Sequence, residues 1–120
     1  MINNYPLINI YEKPLYTSKL SSQMLYGEKF NIIIKKKGWL KIKTQYDNYI
    51  GYIKDKKFLK SFTPTFKISS LKSKIFIKKN GKFKSTNKYL YFGSGISNKK
   101  MNKKYIEFEK NKWIRKIDLK

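Results

Sequence analysis

Two stretches of the chain carry the same strand–turn–strand plan, and this repeat limits what the sequence can fold into. Trp39-Leu40-Lys41-Ile42 corresponds to Tyr105-Ile106-Glu107-Phe108, and Tyr52-Ile53-Lys54 to Trp113-Ile114-Arg115. Earlier in each half, Tyr11 corresponds to Phe76, Leu25-Tyr26-Gly27 to Leu90-Tyr91-Phe92-Gly93, and Phe30 to Ile96. The offset is 65 at Tyr11, 66 at Phe30 and 61 at Tyr52, because the second hairpin loop is shorter. A chain of 120 residues with this period reads as two modules of about sixty residues each. Hydrophobic residues make up 40%, so each module can form a core, but a thin one.

The local pattern is strand. Phe30, Ile32 and Ile34 alternate with Asn31, Ile33 and Lys35, and Lys36-Lys37-Gly38 reads as a turn. Trp39 to Gln45 alternates again, with Leu40, Ile42 and Thr44 on one face. Asp47-Asn48 suits a hairpin turn, since both residues tolerate positive φ, and Tyr49 to Ile53 forms the return strand. In the second half, Tyr105 to Glu109 alternates, Asn111-Lys112 turns, and Trp113 to Ile117 returns. No long stretch shows helical periodicity. Residues 61–70, with Pro64 and several Ser and Thr, read as a linker between modules at 1–60 and 71–120. Five or so short strands in sixty residues imply a small, highly curved barrel, and the fold class is all-β.

Composition narrows the chemistry. There is no Cys and no His, which excludes disulfides, a thiol nucleophile, an imidazole base and Cys- or His-ligated metal. No cofactor is expected. Glu107 and Glu109 are too isolated to make a catalytic carboxylate pair. No apolar run reaches the length of a membrane span, and the first twenty residues lack the features of a signal peptide, so the expected location is the cytoplasm. Lys plus Arg is 29 against 7 acids, a net charge of +22. Arg115 is the only Arg, and Ala and Val are absent, whereas Ile, Asn, Lys, Tyr and Phe, which share A/T-rich codons, abound. The lysine excess therefore has a compositional reading beside a functional one. Either way it predicts salt-sensitive, nonspecific adhesion to polyanions.

The motifs taken together resemble a known family. Tyr11-Glu12-Lys13-Pro14-Leu15, Ser22-Gln23-Met24-Leu25-Tyr26-Gly27-Glu28-Lys29-Phe30, Gly38-Trp39-Leu40-Lys41-Ile42 and Asp47-Asn48-Tyr49-Ile50-Gly51-Tyr52-Ile53 occur in order. This set resembles the first bacterial SH3-like domain of NlpC-type cell-wall cysteine peptidases, the bacterial dipeptidyl-peptidases. Tyr89-Leu90-Tyr91-Phe92-Gly93-Ser94 and Trp113 to Leu119 are similar to the second SH3-like domain of those proteins. The resemblance implies two small SH3-like barrels in tandem. It also implies a papain-like catalytic domain, with its Cys and His, that these residues do not contain. The expected role is a non-catalytic recognition or targeting module for a hydrolase of the γ-D-Glu-diaminopimelate bond. Its partners would be a cell-wall peptide and a separate NlpC-type catalytic chain. In the family, an acid and a tyrosine of the first domain hold the free amine of the terminal L-Ala. These match Glu28 and Tyr49, and Tyr52 closes the same Tyr-x-Gly-aromatic element.

Each candidate also has a plainer reading. Glu28 is equally a solvated strand-end carboxylate paired with one of many lysines, worth about 0–1 kcal/mol. Period-two geometry puts Tyr49, Gly51 and Ile53 on one face and Ile50 and Tyr52 on the other, so one of the two tyrosines packs into the core. Trp39 and Trp113 read as core or rim residues. Two other functions stay open. A basic small barrel bearing aromatics can bind single-stranded nucleic acid, and a truncated remnant would bind nothing specifically.

Overall fold

The computed structural model describes residues 1–59 and 62–119. They form two compact units, Met1–Phe62 and Thr63–Lys120. The first contains β1 (Leu7–Tyr11), β2 (Leu20–Leu25), β3 (Phe30–Lys36), β4 (Trp39–Thr44) and β5 (Ile50–Lys54). These make one antiparallel sheet in the order β2-β1-β5-β4-β3. Isolated bridges from Ile2 to Lys29 and Leu59 tie the N-terminus across it.

The second unit contains β6 (Phe66–Lys67), β7 (Lys72–Lys79), β8 (Lys82–Tyr91), β9 (Gly95–Ile96), β10 (Lys100–Met101), β11 (Tyr105–Glu109) and β12 (Lys112–Arg115), then a 3₁₀ turn at Lys116–Asp118. Its main sheet runs β10-β11-β12-β7-β8, and β6 pairs with β9. The fold is all-β, built as two small units.

Strand registers align the repeat. Tyr11 pairs with Tyr52 as Phe76 pairs with Trp113, and Trp39 pairs with Lys54 as Tyr105 pairs with Arg115. One sequence pairing shifts. Ile8 faces Met24 where Ser73 faces Leu90, so Met24, not Leu25, corresponds to Leu90, and the match needs no insertion before Gly93.

The core of the first unit is Ile8, Ile10, Met24, Phe30, Leu40, Ile42 and Ile53, with Tyr5 and Phe58 packed against it. Burying such side chains stabilises the fold by roughly 1.5–3 kcal/mol each. Leu40, Ile42 and Thr44 all face inward, as the alternation predicts. Strand β3 departs from it. A bulge between Ile32 and Ile34 breaks the alternation, and these two residues are 39% and 52% exposed; only Phe30 of that series is buried.

Three other expectations change. Within 61–70, Phe66 and Lys67 pair with Ile96 and Gly95, and Ile68 is buried and bridges Leu119. An apolar Ile and a free backbone edge are satisfied there, so Phe66, Lys67 and Ile68 are part of the second unit rather than of a spacer. The boundary at 60/61 falls on Lys60 and Ser61, outside the described residues. The return strand expected over 113–117 ends at Arg115, because the 3₁₀ turn brings buried Asp118 under the hydroxyls of Ser70 (2.8 Å) and Ser73 (2.7 Å). Finally, the longest hairpin, β7–β8, turns at Asn80-Gly81, both at positive φ. Asn-Gly is a strong hairpin signal, and it lies outside the segments that the repeat aligns.

Candidate functional site

Glu28 stands at the end of the first unit where the β2–β3 turn meets the β4–β5 loop. Gly27, at φ 87°, turns the chain after Tyr26, a conformation that glycine adopts without strain. The Glu28 N–H then donates to the Leu25 carbonyl (3.2 Å), and the Leu25 N–H donates to Glu28 Oε2. The carboxylate thus caps its own turn. Buried Asn3 fastens the turn from below: its N–H donates to the Glu28 carbonyl (2.9 Å) and its carbonyl accepts from Gly27 (2.7 Å).

The β4–β5 loop comes alongside. The Gln45 N–H donates to the Lys29 carbonyl at 3.0 Å. Thr44 Oγ1 donates to Asp47 Oδ1 and accepts from the Tyr49 N–H (3.0 Å). Asp47 Oδ1 also accepts from that N–H at 3.4 Å. Tyr49 is therefore pinned beside Asp47, and Asp47 is close enough for its charge to act on Glu28. Burial, and secondarily the negative charge of Asp47, push the Glu28 carboxyl above its ordinary value, while the Leu25 N–H opposes this. Among the described residues, no lysine forms an ion pair with either acid; the salt bridges lie at Lys35–Asp55, Glu109–Lys112 and Arg115–Asp118. Two neighbouring carboxylates without an ion pair are unexpected in a chain with 29 cationic side chains and 7 acidic ones.

Of the three expected binding residues, Glu28 and Tyr49 share this end, and Tyr52 does not. Tyr49 precedes β5, is half-buried and stands outside the core of the first unit, so neither tyrosine packs into the core as the alternation implied; within β5, Gly51 and Ile53 are buried and Tyr52 lies on the outer side. There Tyr52 lines a groove of about 440 Å³ with Pro14, Leu15, Ile34, Trp39 and three lysines, Lys36, Lys37 and Lys41. Trp39 is 9% exposed, meeting Tyr11 and Tyr16 edge-on at 5.8 and 5.0 Å. The plainer reading of Trp39 as a rim residue thus holds, and Tyr52 is a groove wall rather than core. The residues carry one indirect sign of this groove. It is Pro14: a residue with no N–H interrupts the β1–β2 ladder and forces a folded connection.

No group of three or more Asp or Glu side chains among the described residues is placed to hold a metal ion. No helix among them is long and apolar enough to cross a membrane.

Residues 10–58 match the family model of the bacterial dipeptidyl-peptidase Sh3 domain. The first unit carries an SH3-like domain. The matched stretch runs from Ile10 in β1 to Phe58 beyond β5, so it contains the Glu28 turn, the Asp47–Tyr49 loop and the groove. No curated protein and no solved structure matches the chain.

Proposed function

We propose that the first unit binds the free amino terminus of a short cell-wall peptide at Glu28 and Tyr49. It would serve as the non-catalytic recognition part of a peptidase that cleaves the γ-D-Glu-diaminopimelate bond. The observation that carries this reading is the half-buried Glu28 carboxylate, set beside Asp47 and lacking a lysine partner among the described residues. An ammonium placed there relieves the repulsion between two carboxylates and gains charge-assisted hydrogen bonds. The match to the bacterial dipeptidyl-peptidase Sh3 domain supports the reading of an accessory domain of a peptidase. With no Cys or His in the sequence, cysteine-peptidase chemistry must come from a catalytic domain outside these 120 residues.

Calorimetric titration with L-Ala-γ-D-Glu-diaminopimelate, at about 150 mM salt to screen nonspecific attraction, tests this. Binding should weaken at least about tenfold when the amine is acetylated, and again in Glu28→Gln, a loss of about 1.4 kcal/mol or more in each case. Binding should also strengthen as pH rises through the raised Glu28 titration, because the carboxylate is the form that holds an ammonium. Equal affinity for the free and acetylated peptides would end the proposal.

A further inference from the structure

The groove on the outer face of the first unit has an internal reference, because the second unit contains the same walls. The walls Trp39 and Tyr52 correspond by register to Tyr105 and Trp113. In the second unit Phe83, from the extended strand β8, covers Tyr105 and Trp113. Its ring stacks on Tyr105 at 3.9 Å and meets Trp113 edge-on at 5.1 Å. The Lys78 ammonium lies 5.6 Å from the Phe83 ring and 5.8 Å from the Trp113 ring. The molecule therefore shows what these walls accept: an apolar side chain from an extended segment, beside a lysine.

In the first unit no aromatic ring among the described residues spans both Trp39 and Tyr52, and the reason is local. β1 and β2 are paired only as far as Tyr11 and Leu20. Beyond that, Pro14 lies in a connection that folds on itself, with the Leu15 N–H donating to the Lys13 carbonyl (2.7 Å) and the Glu12 N–H to the Lys19 carbonyl (3.0 Å). Tyr16 from this loop packs on Trp39 and Tyr11, and Tyr52 is left as a wall of the open groove. Leu15 and Ile34, 54% and 52% exposed, form its apolar edges. Lys36, Lys37 and Lys41 line it, Lys54 sits 5.4 Å over Trp39, and no carboxylate is among the lining residues.

We infer that this groove is a second binding site, for an extended acidic peptide segment that inserts one apolar side chain between carboxylates. The apolar side chain takes the place that Phe83 fills in the second unit, and the carboxylates meet Lys36, Lys37 and Lys41. A volume of about 440 Å³ suits one large side chain and its flanking backbone. A nucleic-acid strand fits less well, because base stacking needs an open ring face and Trp39 is flanked by Tyr11, Tyr16 and Lys54.

The test is an amide-shift titration of the whole chain at about 150 mM salt with acetyl-Glu-Glu-Phe-Glu-Glu-amide. The acetyl cap removes the amine, so the outcome is independent of the Glu28 and Tyr49 reading. Saturable shifts are expected at Ile34, Trp39, Lys41 and Tyr52. Affinity should fall about tenfold or more when Gln replaces Glu in the peptide, when Ser replaces its Phe, and in the surface variants Leu15→Ser and Lys36→Glu. The inference is overturned by the absence of saturable shifts at those residues, or by shifts spread over the lysines of both units. Unchanged affinity in both folded variants, or an oligothymidylate that displaces the peptide with higher affinity, would overturn it too.

Discussion

The same turn is built twice in this molecule, with opposite electrostatic results. In the first unit, Glu28 Oε2 accepts from the Leu25 N–H; in the second, Ser94 Oγ accepts from the Tyr91 N–H at 3.3 Å. The backbone frames also agree. Gly27 and Gly93 have φ of 87° and 89°, and Asn3 and Ile68 make equivalent pairs of backbone bonds to the turn. A serine is enough to cap the turn, and Ser94 does so while fully buried. The carboxylate of Glu28 is thus surplus to the folding requirement. It brings a charge, partial burial and the repulsion of Asp47 where a neutral hydroxyl would serve. The two grooves teach the same lesson: Phe83 closes one over Trp113, and Pro14 leaves the other open beside Tyr52. In both comparisons the first unit keeps a costlier, more exposed arrangement than its repeat. That difference sets the proposed binding features apart from the features that folding alone requires.

The largest effect should come from removing Phe83. Phe83→Ala uncovers the Tyr105 and Trp113 rings and should destabilise the second unit by about 3 kcal/mol, near the low end for large-to-small aromatic changes because Phe83 is only partly buried. Tyr16→Ala should cost about 1 kcal/mol or less, since Tyr16 is 64% exposed. Denaturant melts followed by residue-resolved NMR measure both. Equal costs would mean that Phe83 and Tyr16 are equivalent covers, and the contrast between closed and open grooves would fail.

Next is the turn exchange. Ser94→Glu places a carboxylate where the wild-type residue is fully buried, at a cost of about 2–4 kcal/mol. Glu28→Ser keeps a hydroxyl acceptor at a half-buried site and should change stability by under about 1 kcal/mol. Thermal melts of the two variants should therefore differ clearly. If Glu28→Ser proved the more damaging, the carboxylate would be a folding device and its role as a binding group would lose its main support.

A third test addresses the buried acid of the second unit. Asp118 accepts from the hydroxyls of Ser70 and Ser73 and pairs with Arg115 at 3.4 Å. Asp118→Ala leaves those donors without their acceptor and should destabilise by about 2 kcal/mol. NMR should show the loss in the second unit. An undisturbed melt would mean that water replaces the carboxylate at no cost.

Much of this architecture was legible in the residues. Period-two alternation located Leu40, Ile42 and Thr44, and glycine and Asn/Asp signals located most turns. The repeat paired Tyr52 with Trp113 and Trp39 with Tyr105 correctly. What escaped was non-local. The bulge that exposes Ile32 and Ile34 leaves no mark in an alternating apolar run. The linker reading of 61–70 followed its Ser, Thr and Pro content, but Ile68 and the two-residue strand β6 are fixed by partners far along the chain. The candidate site divided the same way. Local motifs flagged Glu28, Tyr49 and Tyr52 as one set, but only the strand pairing of Tyr52 with Tyr11 and Lys41 places it at the groove rather than at the Glu28 turn. Asp47, whose charge acts on Glu28, carries only a turn signal in the sequence.

The smallest effect is the most direct probe of that charge. Burial and Asp47 raise the folded-state titration of Glu28 above its unfolded one. Between the two, the folded protein keeps a proton that the unfolded chain has released. This contribution to stability is therefore fully present below the unfolded pKa and is lost as pH rises through the folded one. Glu28→Gln keeps an acceptor for the Leu25 N–H and carries no charge. At neutral pH it should melt slightly higher than the wild type, and the gap should close below about pH 4, where the unfolded side chain is also protonated. Taking the difference between the two melting curves cancels the other titrations of the chain. A gap that persists unchanged into acid would show that the amide acts through packing and that the Glu28 charge is not strained. A gap of the opposite sign at neutral pH would mean that a cation already neutralises the carboxylate, leaving no vacancy for the amine of a peptide.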